Sequence, residues 1–139
     1  MGRHTILLVE DDHGVRELAA DVLRDEGYDV VEARDGLEAL QIVEQHAPLS
    51  DHAAVVLLDL MLPKLSGLQV LERLQQAGGA APPVVAMSAS HAHLSQAAMV
   101  GADATLAKPF DLATLLDTIA RYCPPQSDLP GLVDPAVGR

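Results

Sequence analysis

The sequence predicts an open α/β fold, in which five parallel strands form a sheet that helices cover on both faces. Short apolar runs alternate with amphipathic segments along the chain, and this alternation is typical of parallel strands joined by right-handed crossovers. The runs near Val55 and Val84 are apolar almost without interruption, as expected for strands that are buried on both sides. A chain of 139 residues can bury a full core as one domain.

The first strand is predicted at Ile6-Leu7-Leu8-Val9, and a helix follows over 13–26. Gly27 stands where a helix stop belongs, and the second strand covers 28–33. The apolar residues of the helix recur at helical spacing, at Val15, Leu18, Ala19, Val22 and Leu23. A second helix is predicted from Asp35-Gly36, with Leu37, Leu40, Ile42 and Val43 as its apolar residues and Pro48 beyond its end.

The third strand is predicted over 53–59, and Ser66 is the expected N-cap of the helix that follows it. That helix carries Leu68, Val70, Leu71 and Leu74, with Gly78-Gly79 as its stop. The fourth strand, 84–87, precedes a short helix over 91–100 that ends at Gly101. The fifth strand is predicted over 102–107, and the last helix over 111–122 bears Leu112, Leu115, Leu116 and Ile119.

The domain is predicted to occupy 1–123, and 124–139 is predicted to be a tail or linker. Prolines and glycines interrupt this last stretch, and no periodic segment is left in it. It is too short for a second domain, so we expect either a stand-alone domain or a piece of a longer protein.

Composition excludes several classes of partner. The net charge is −11, with 9 basic against 20 acidic residues, which argues against nucleic-acid binding and against anionic membranes. A single cysteine, Cys123, suits a reducing compartment. No apolar run approaches the length of a membrane span, and the N-terminus has no secretory-signal pattern. We therefore expect a cytoplasmic protein.

Polar residues stand at the carboxyl ends of the predicted strands. The first strand ends in Glu10-Asp11-Asp12, the third in Asp59, the fourth in Ser88 and the fifth in Lys108. Ligands of open α/β sheets bind at such ends, where the strand order reverses. The first and third strands must be neighbours for these acids to meet, and the doubly wound strand order 2-1-3-4-5 makes them so.

Carboxylates packed this closely repel one another, and a divalent cation with hard oxygen ligands relieves the repulsion. Mg²⁺ fits best, because it accepts few protein ligands and keeps several waters. Asp12 and Asp59 are expected to supply oxygens directly and Asp11 partly through water. The backbone carbonyl of Met61 is expected to complete the set.

These residues resemble the receiver domains of two-component response regulators over roughly 5–122. The matching segments are Val9-Glu10-Asp11-Asp12, Leu57-Leu58-Asp59-Leu60-Met61-Leu62-Pro63 with Gly67, Met87-Ser88-Ala89, and Gly101-Ala102-Asp103 followed by Lys108-Pro109-Phe110. The resemblance implies a flavodoxin-like doubly wound fold. It also implies a phosphorylation switch or phosphorelay shuttle, which is a phosphoacceptor rather than an enzyme.

The resemblance assigns a role to each polar residue. Asp59 would accept a phosphoryl group from a sensor histidine kinase or a histidine phosphotransfer protein, with Mg²⁺ as cofactor. Lys108 would pair with a phosphoryl oxygen, and Ser88 would turn its hydroxyl toward another to signal to a downstream protein target. The Lys108-Pro109 peptide is usually cis in such domains.

One position departs from the family pattern. Receivers commonly carry Tyr or Phe three residues before the lysine, where the ring turns inward as the Ser or Thr moves, and here Thr105 occupies that place. Because Thr has no ring to bury, we expect phosphorylation to survive while the conformational output is modified or weakened.

Three alternatives stay open. A degenerate receiver would bind proteins without being phosphorylated, a reading that Thr105 favours and the retained acids oppose. A phosphatase of the haloacid dehalogenase type would need an acid two residues after Asp59, where Met61 stands. A flavin-binding flavodoxin would need a hydroxyl-rich phosphate loop after the first strand, where the acids would repel phosphate.

Overall fold

The computed structural model describes residues 4–46, 49–76 and 81–125. Strands and helices alternate throughout these residues. The strands are β1 (Thr5–Val9), β2 (Asp29–Ala33), β3 (Val55–Asp59), β4 (Val84–Ser88) and β5 (Ala104–Ala107). The helices are α1 (His13–Asp25), α2 (Gly36–Gln45), α3 (Gly67–Gln76), α4 (His91–Val100) and α5 (Leu112–Tyr122), and a short 3₁₀ turn covers Leu49–Asp51.

The sheet has the predicted order, β2-β1-β3-β4-β5, and every pairing is parallel. Its register aligns the carboxyl ends of the strands. Val9 lies opposite Leu58, and Asp59 lies opposite Met87. Ser88 lies opposite Ala107 in the same way. The polar residues at these positions or directly after them therefore share one edge of the sheet.

Helices pack on both faces of the sheet, so that two apolar layers enclose it. Alternate residues of β1 show the division: Leu7 and Val9 face the layer formed with α2, α3 and α4, whereas Ile6 and Leu8 face the layer formed with α1 and α5. All residues of β3 and β4 are buried, which confirms the prediction from their continuous apolar runs.

Two predicted helix ends are present, the N-cap Ser66 of α3 and the stop Gly101 of α4. Ser66 and Gln69 form a reciprocal cap at α3, because the Gln69 N–H donates to Ser66 Oγ at 3.2 Å and the Ser66 N–H donates to Gln69 Oε1 at 3.0 Å. Gly101 follows α4 with φ +128°, a conformation that side chains rarely adopt. The predicted stops at Pro48 and Gly78-Gly79 lie outside the described residues.

β5 begins at Ala104, two residues after the predicted start at 102, because the Ala102 N–H donates to Ala97 O at the end of α4. The tail from 124 lies almost wholly outside the described residues, so its role as a linker stays a prediction. Within the described ranges, no helix has the length and apolar character that a membrane crossing requires.

Candidate functional site

The strand ends bring a lysine and two carboxylates into direct contact. Lys108, just after β5, places Nζ 2.6 Å from Glu10 Oε1 and 3.3 Å from Asp59 Oδ2. The other oxygen of Asp59 accepts a hydrogen bond from the Met61 N–H at 3.0 Å. The carboxylate of Asp59 is therefore held on both oxygens by groups from two different loops.

Three acids form the anionic centre of this edge. Carboxylate oxygens of Glu10, Asp11 and Asp59 all lie within 4.8 Å of one another. Glu10 and Asp59 are buried, with 1% and 3% exposure, whereas Asp11 is exposed. Glu10 and Asp59 contact the Lys108 ammonium, whereas Asp11 is open to water, and the carboxylates of all three acids are hard oxygen donors. This donor set fits a divalent cation such as Mg²⁺, which keeps several waters.

The structure places Asp12 differently from the prediction. Asp12 is the N-cap of α1, where its Oδ1 accepts a hydrogen bond from the Val15 N–H at 2.9 Å. Its backbone N–H donates to Glu10 Oε2 at 3.1 Å. The acid that joins Asp11 and Asp59 is Glu10, because an N-cap side chain is turned toward the first turn of its own helix. The strong preference for Asp at N-caps was the sequence signal for this arrangement.

Burial and crowding shift the pKa values of the contacting groups. Burial raises the pKa of Glu10 to about 7, and the nearby Asp59 carboxylate adds to this although the Lys108 hydrogen bond opposes it. Burial lowers the pKa of Lys108, but the hydrogen bond with Glu10 and the charge of Asp59 outweigh that effect and raise it overall. Lys108 therefore remains an ammonium while its charge only partly offsets the clustered acids.

Ser88 joins the site to the loop ahead of α4. It is fully buried at the end of β4, and its Oγ accepts a hydrogen bond from the Ser90 N–H at 3.0 Å. Ser90 in turn caps α4 by accepting from the His93 N–H at 3.2 Å. The Ser88 carbonyl accepts from the Lys108 N–H at 2.9 Å. The hydroxyl predicted to move is thus hydrogen-bonded to the segment that would move with it.

Three neighbouring features complete the geometry. The Lys108–Pro109 peptide is cis, as the resemblance implies. A Cβ on Gly67 would lie 2.2 Å from the carbonyl oxygen of Asp59, so α3 can begin this close to β3 only with glycine. Thr105 is exposed on β5, where it pairs with Ala86.

Residues 6–120 match the sequence profile described as the response regulator receiver domain. The chain belongs to the response regulator receiver family. This receiver is 31% identical over 129 residues to the sporulation initiation phosphotransferase F of Bacillus subtilis, an alignment that covers 92% of this chain and 100% of that protein. It is 38% identical over 112 residues to response regulator MprA of Mycobacterium sp. strain KMS, and this alignment covers 80% of the chain. The chain spans only 46% of that regulator.

Solved structures agree with the fold of the receiver. The chemotaxis protein CheY4 of Vibrio cholerae superposes with a TM-score of 0.73 at 28% identity, covering 86% of this chain and 98% of that one. The receiver domain of the Francisella response regulator 1452 gives a TM-score of 0.76 at 26% identity, covering 86% and 95%. The predicted family and the flavodoxin-like strand order are confirmed.

Proposed function

We propose that this receiver accepts a phosphoryl group on Asp59 from a phosphohistidine of a sensor histidine kinase or a histidine phosphotransfer protein. It would act as a phosphorylation switch or phosphorelay shuttle in two-component signalling. One observation carries the proposal: the Asp59 carboxylate is buried, yet hydrogen-bonded by Lys108 and by the Met61 N–H beside two further acids. A structural aspartate in a core has no need of such an acid cluster.

The contacts of Asp59 suit it to be a nucleophile. Its Oδ1 is fixed by the Met61 N–H, and its Oδ2 lies beside the Lys108 ammonium. In the proposed step, a bond forms between an Asp59 oxygen and phosphorus while the N–P bond of phosphohistidine breaks. The electron pair of that bond returns to the imidazole nitrogen. Lys108 is placed to pair with an oxygen of the transferred group, and phosphoryl transfer depends mainly on such positioning and charge.

We assign the cation site to the side chains of Glu10, Asp11 and Asp59, with the carbonyl of Met61 as a further ligand. Bound there, Mg²⁺ would supply positive charge against the oxygens of the incoming phosphoryl group. Asp12 has its own role at the helix cap and is left out of the revised set. Because Asp11 is exposed, it lies on the open side of the site, through which solvent and the phosphoryl donor would arrive.

An apolar groove next to the site supports a protein as the phosphoryl donor. The groove has a volume of about 360 Å³ and includes Val15, Leu18, Phe110 and Leu112 together with Lys108. Leu18 is 55% exposed, and Val15 and Leu112 are each 37% exposed. Exposed apolar side chains grouped around a reactive centre favour contact with another protein surface. The downstream target and the output of the switch belong to the same proposal.

The test is to incubate the full chain with acetyl phosphate or a histidine kinase, with and without Mg²⁺, and to separate the products on a phosphate-affinity gel. Wild type is expected to shift only with Mg²⁺, and Asp59→Asn is expected not to shift. Asp12→Asn is the matched control, because Asn keeps the cap and the proposal leaves Asp12 outside the cation site. A shift of Asp59→Asn equal to wild type would refute the proposal.

Thr105, which stands where receivers commonly carry Tyr or Phe, favours one second candidate, a degenerate receiver that binds proteins without phosphorylation. This candidate predicts no gel shift under any donor, together with partner binding that Asp59→Asn leaves unchanged. The retained acid cluster and Lys108 favour the phosphoacceptor.

A further inference from the structure

We propose that Arg16 is the positioning residue for the acidic loop after β1. It would hold the backbone of Glu10 and Asp11 so that their carboxylates are ready for the cation. This inference rests on the proposed function and deepens it, because it names what keeps two of the three acids in place.

The guanidinium of Arg16 is buried, with 8% exposure of the residue. Its Nη1 donates to the carbonyl of Glu10 at 2.9 Å and reaches the carbonyl of Asp11 at 3.5 Å. Its Nε donates to Glu32 Oε1 at 3.3 Å, and its Nη2 contacts His13 Nδ1 at 3.1 Å. All three guanidinium nitrogens therefore have partners, and one of them is directed at the loop that carries the acids.

The backbone of Glu10 is consequently held from two sides. Its N–H donates to the carbonyl of Ala33 at the end of β2, at 3.1 Å, and its carbonyl accepts from Arg16. Glu32 on β2 anchors the same guanidinium. The edge strand β2 thus fixes the acidic loop twice, once directly and once through Arg16. Groups that orient metal-binding side chains in this way commonly change metal affinity when they are removed.

A lysine could not reproduce these contacts. Arg offers a rigid fork of donors that can serve a carboxylate and a carbonyl together, whereas the lysine ammonium is a single point at the end of a flexible stem. Arg16→Lys therefore keeps the positive charge beside the acids but removes the simultaneous contact with Glu32 and the loop. It separates positioning from simple charge neutralisation.

Arg24 provides an internal control. Its Nη2 donates to the other oxygen of Glu32 at 3.1 Å and to the carbonyl of Val30 at 3.1 Å. In the described part of the chain its hydrogen bonds go to β2 rather than to the acidic loop. Arg24→Met thus removes a second arginine of α1 that is bonded to Glu32, and it should leave the acidic loop in place.

The experiment measures Mg²⁺ binding to the full chain by isothermal titration calorimetry. Arg16→Lys is expected to weaken binding by about tenfold, the lower end of the effect of such supporting residues, while Arg24→Met stays within about twofold of wild type. Labelling by acetyl phosphate is expected to need more Mg²⁺ in Arg16→Lys but to reach the wild-type rate at saturation. Glu32→Gln, which loosens the anchor and keeps Arg16, is expected to weaken binding by a smaller factor.

Wild-type Mg²⁺ affinity in both Arg16→Lys and Glu32→Gln would overturn the positioning role. An equal loss in Arg24→Met would overturn it as well, because the effect would then be general loosening of α1 and β2. Failure of the proposed function looks different: wild type would bind Mg²⁺ with the expected dependence on Arg16 and yet take up no phosphoryl group on Asp59.

Discussion

The Lys108 ammonium lies 2.6 Å from Oε1 of Glu10, although 98 positions separate the two residues in the chain. The same ammonium is 3.3 Å from Asp59. One cation from the β5 end of the sheet thus holds together acids from the β1 and β3 ends. Glu10 is the carboxylate buried most deeply in this cluster.

This arrangement predicts that Glu10 lowers the stability of the folded state by an amount that depends on pH. Because its pKa rises from 4.5 to about 7 on folding, the ionised carboxylate favours the unfolded state, by an amount that grows from about pH 4.5 to pH 7 and then levels off. In EDTA, Glu10→Gln is expected to be more stable than wild type at pH 8 and equal to it near pH 4.5. Thermal unfolding followed by circular dichroism measures the difference.

Added Mg²⁺ provides the control for that experiment. A cation bound by Glu10 stabilises the folded wild type by mass action, so the advantage of Glu10→Gln should shrink or reverse at millimolar Mg²⁺. A difference between the two proteins that is independent of both pH and Mg²⁺ would contradict this account of Glu10.

Sequence reasoning found the fold and part of the site for physical reasons. Asp59 and Lys108 each follow an apolar run, so alternation alone placed them at one edge of the sheet. It could not rank three consecutive acids, since the path of the loop decides which side chain turns inward, and the acid that clusters with Asp11 and Asp59 is Glu10 rather than the expected Asp12. Arg16 was missed because an arginine on an amphipathic helix is usually solvated, and its burial depends on Glu32 of another strand.

Lys64 is predicted to strain the loop between β3 and α3. Its φ is +69°, a left-handed conformation that Asn adopts more readily than Lys and that β-branched residues strongly disfavour. Its ion pair with Asp35 is 3.5 Å long and the Lys64 side chain is largely exposed, so the pair contributes little. Lys64→Asn is expected to raise the free energy of unfolding by a fraction of the roughly 1–2 kcal/mol that the left-handed conformation costs an ordinary side chain, and Lys64→Val to lower it. Urea denaturation measures both, and equal free energies of unfolding for the two variants would contradict the expectation.

Tyr28, which directly precedes β2, is hydrogen-bonded to the end of α5. Its buried hydroxyl donates to the carbonyl of Cys123, and burial raises the pKa of Tyr28 to about 12. Tyr28→Phe would leave that carbonyl buried without its donor and is expected to cost about 1–2 kcal/mol of stability. Tyr122→Phe is the matched control, because its hydroxyl bonds to the Asp103 carbonyl at an exposed position. A loss in Tyr122→Phe as large as that in Tyr28→Phe would argue against the role of burial.

Thr105 is predicted to weaken the link between the site and the outer surface of α4. The hydroxyl of Ser88 is still hydrogen-bonded to Ser90, the residue that caps α4, but Thr105 offers no ring to turn inward. With a beryllofluoride phosphoryl mimic, amide chemical shifts across His91–Val100 are expected to change less in wild type than in Thr105→Tyr. Shift changes of equal size in the two proteins would remove Thr105 as the cause of altered output.

The most direct measurement of the central claim is borohydride reduction of the chain after incubation with acetyl phosphate and Mg²⁺, followed by peptide mass spectrometry. Borohydride converts an aspartyl phosphate to homoserine and leaves an unmodified aspartate intact. We predict homoserine at position 59, which should vanish when Mg²⁺ is withheld. Homoserine at another aspartate, or none although acetyl phosphate is consumed, would contradict the assignment of Asp59.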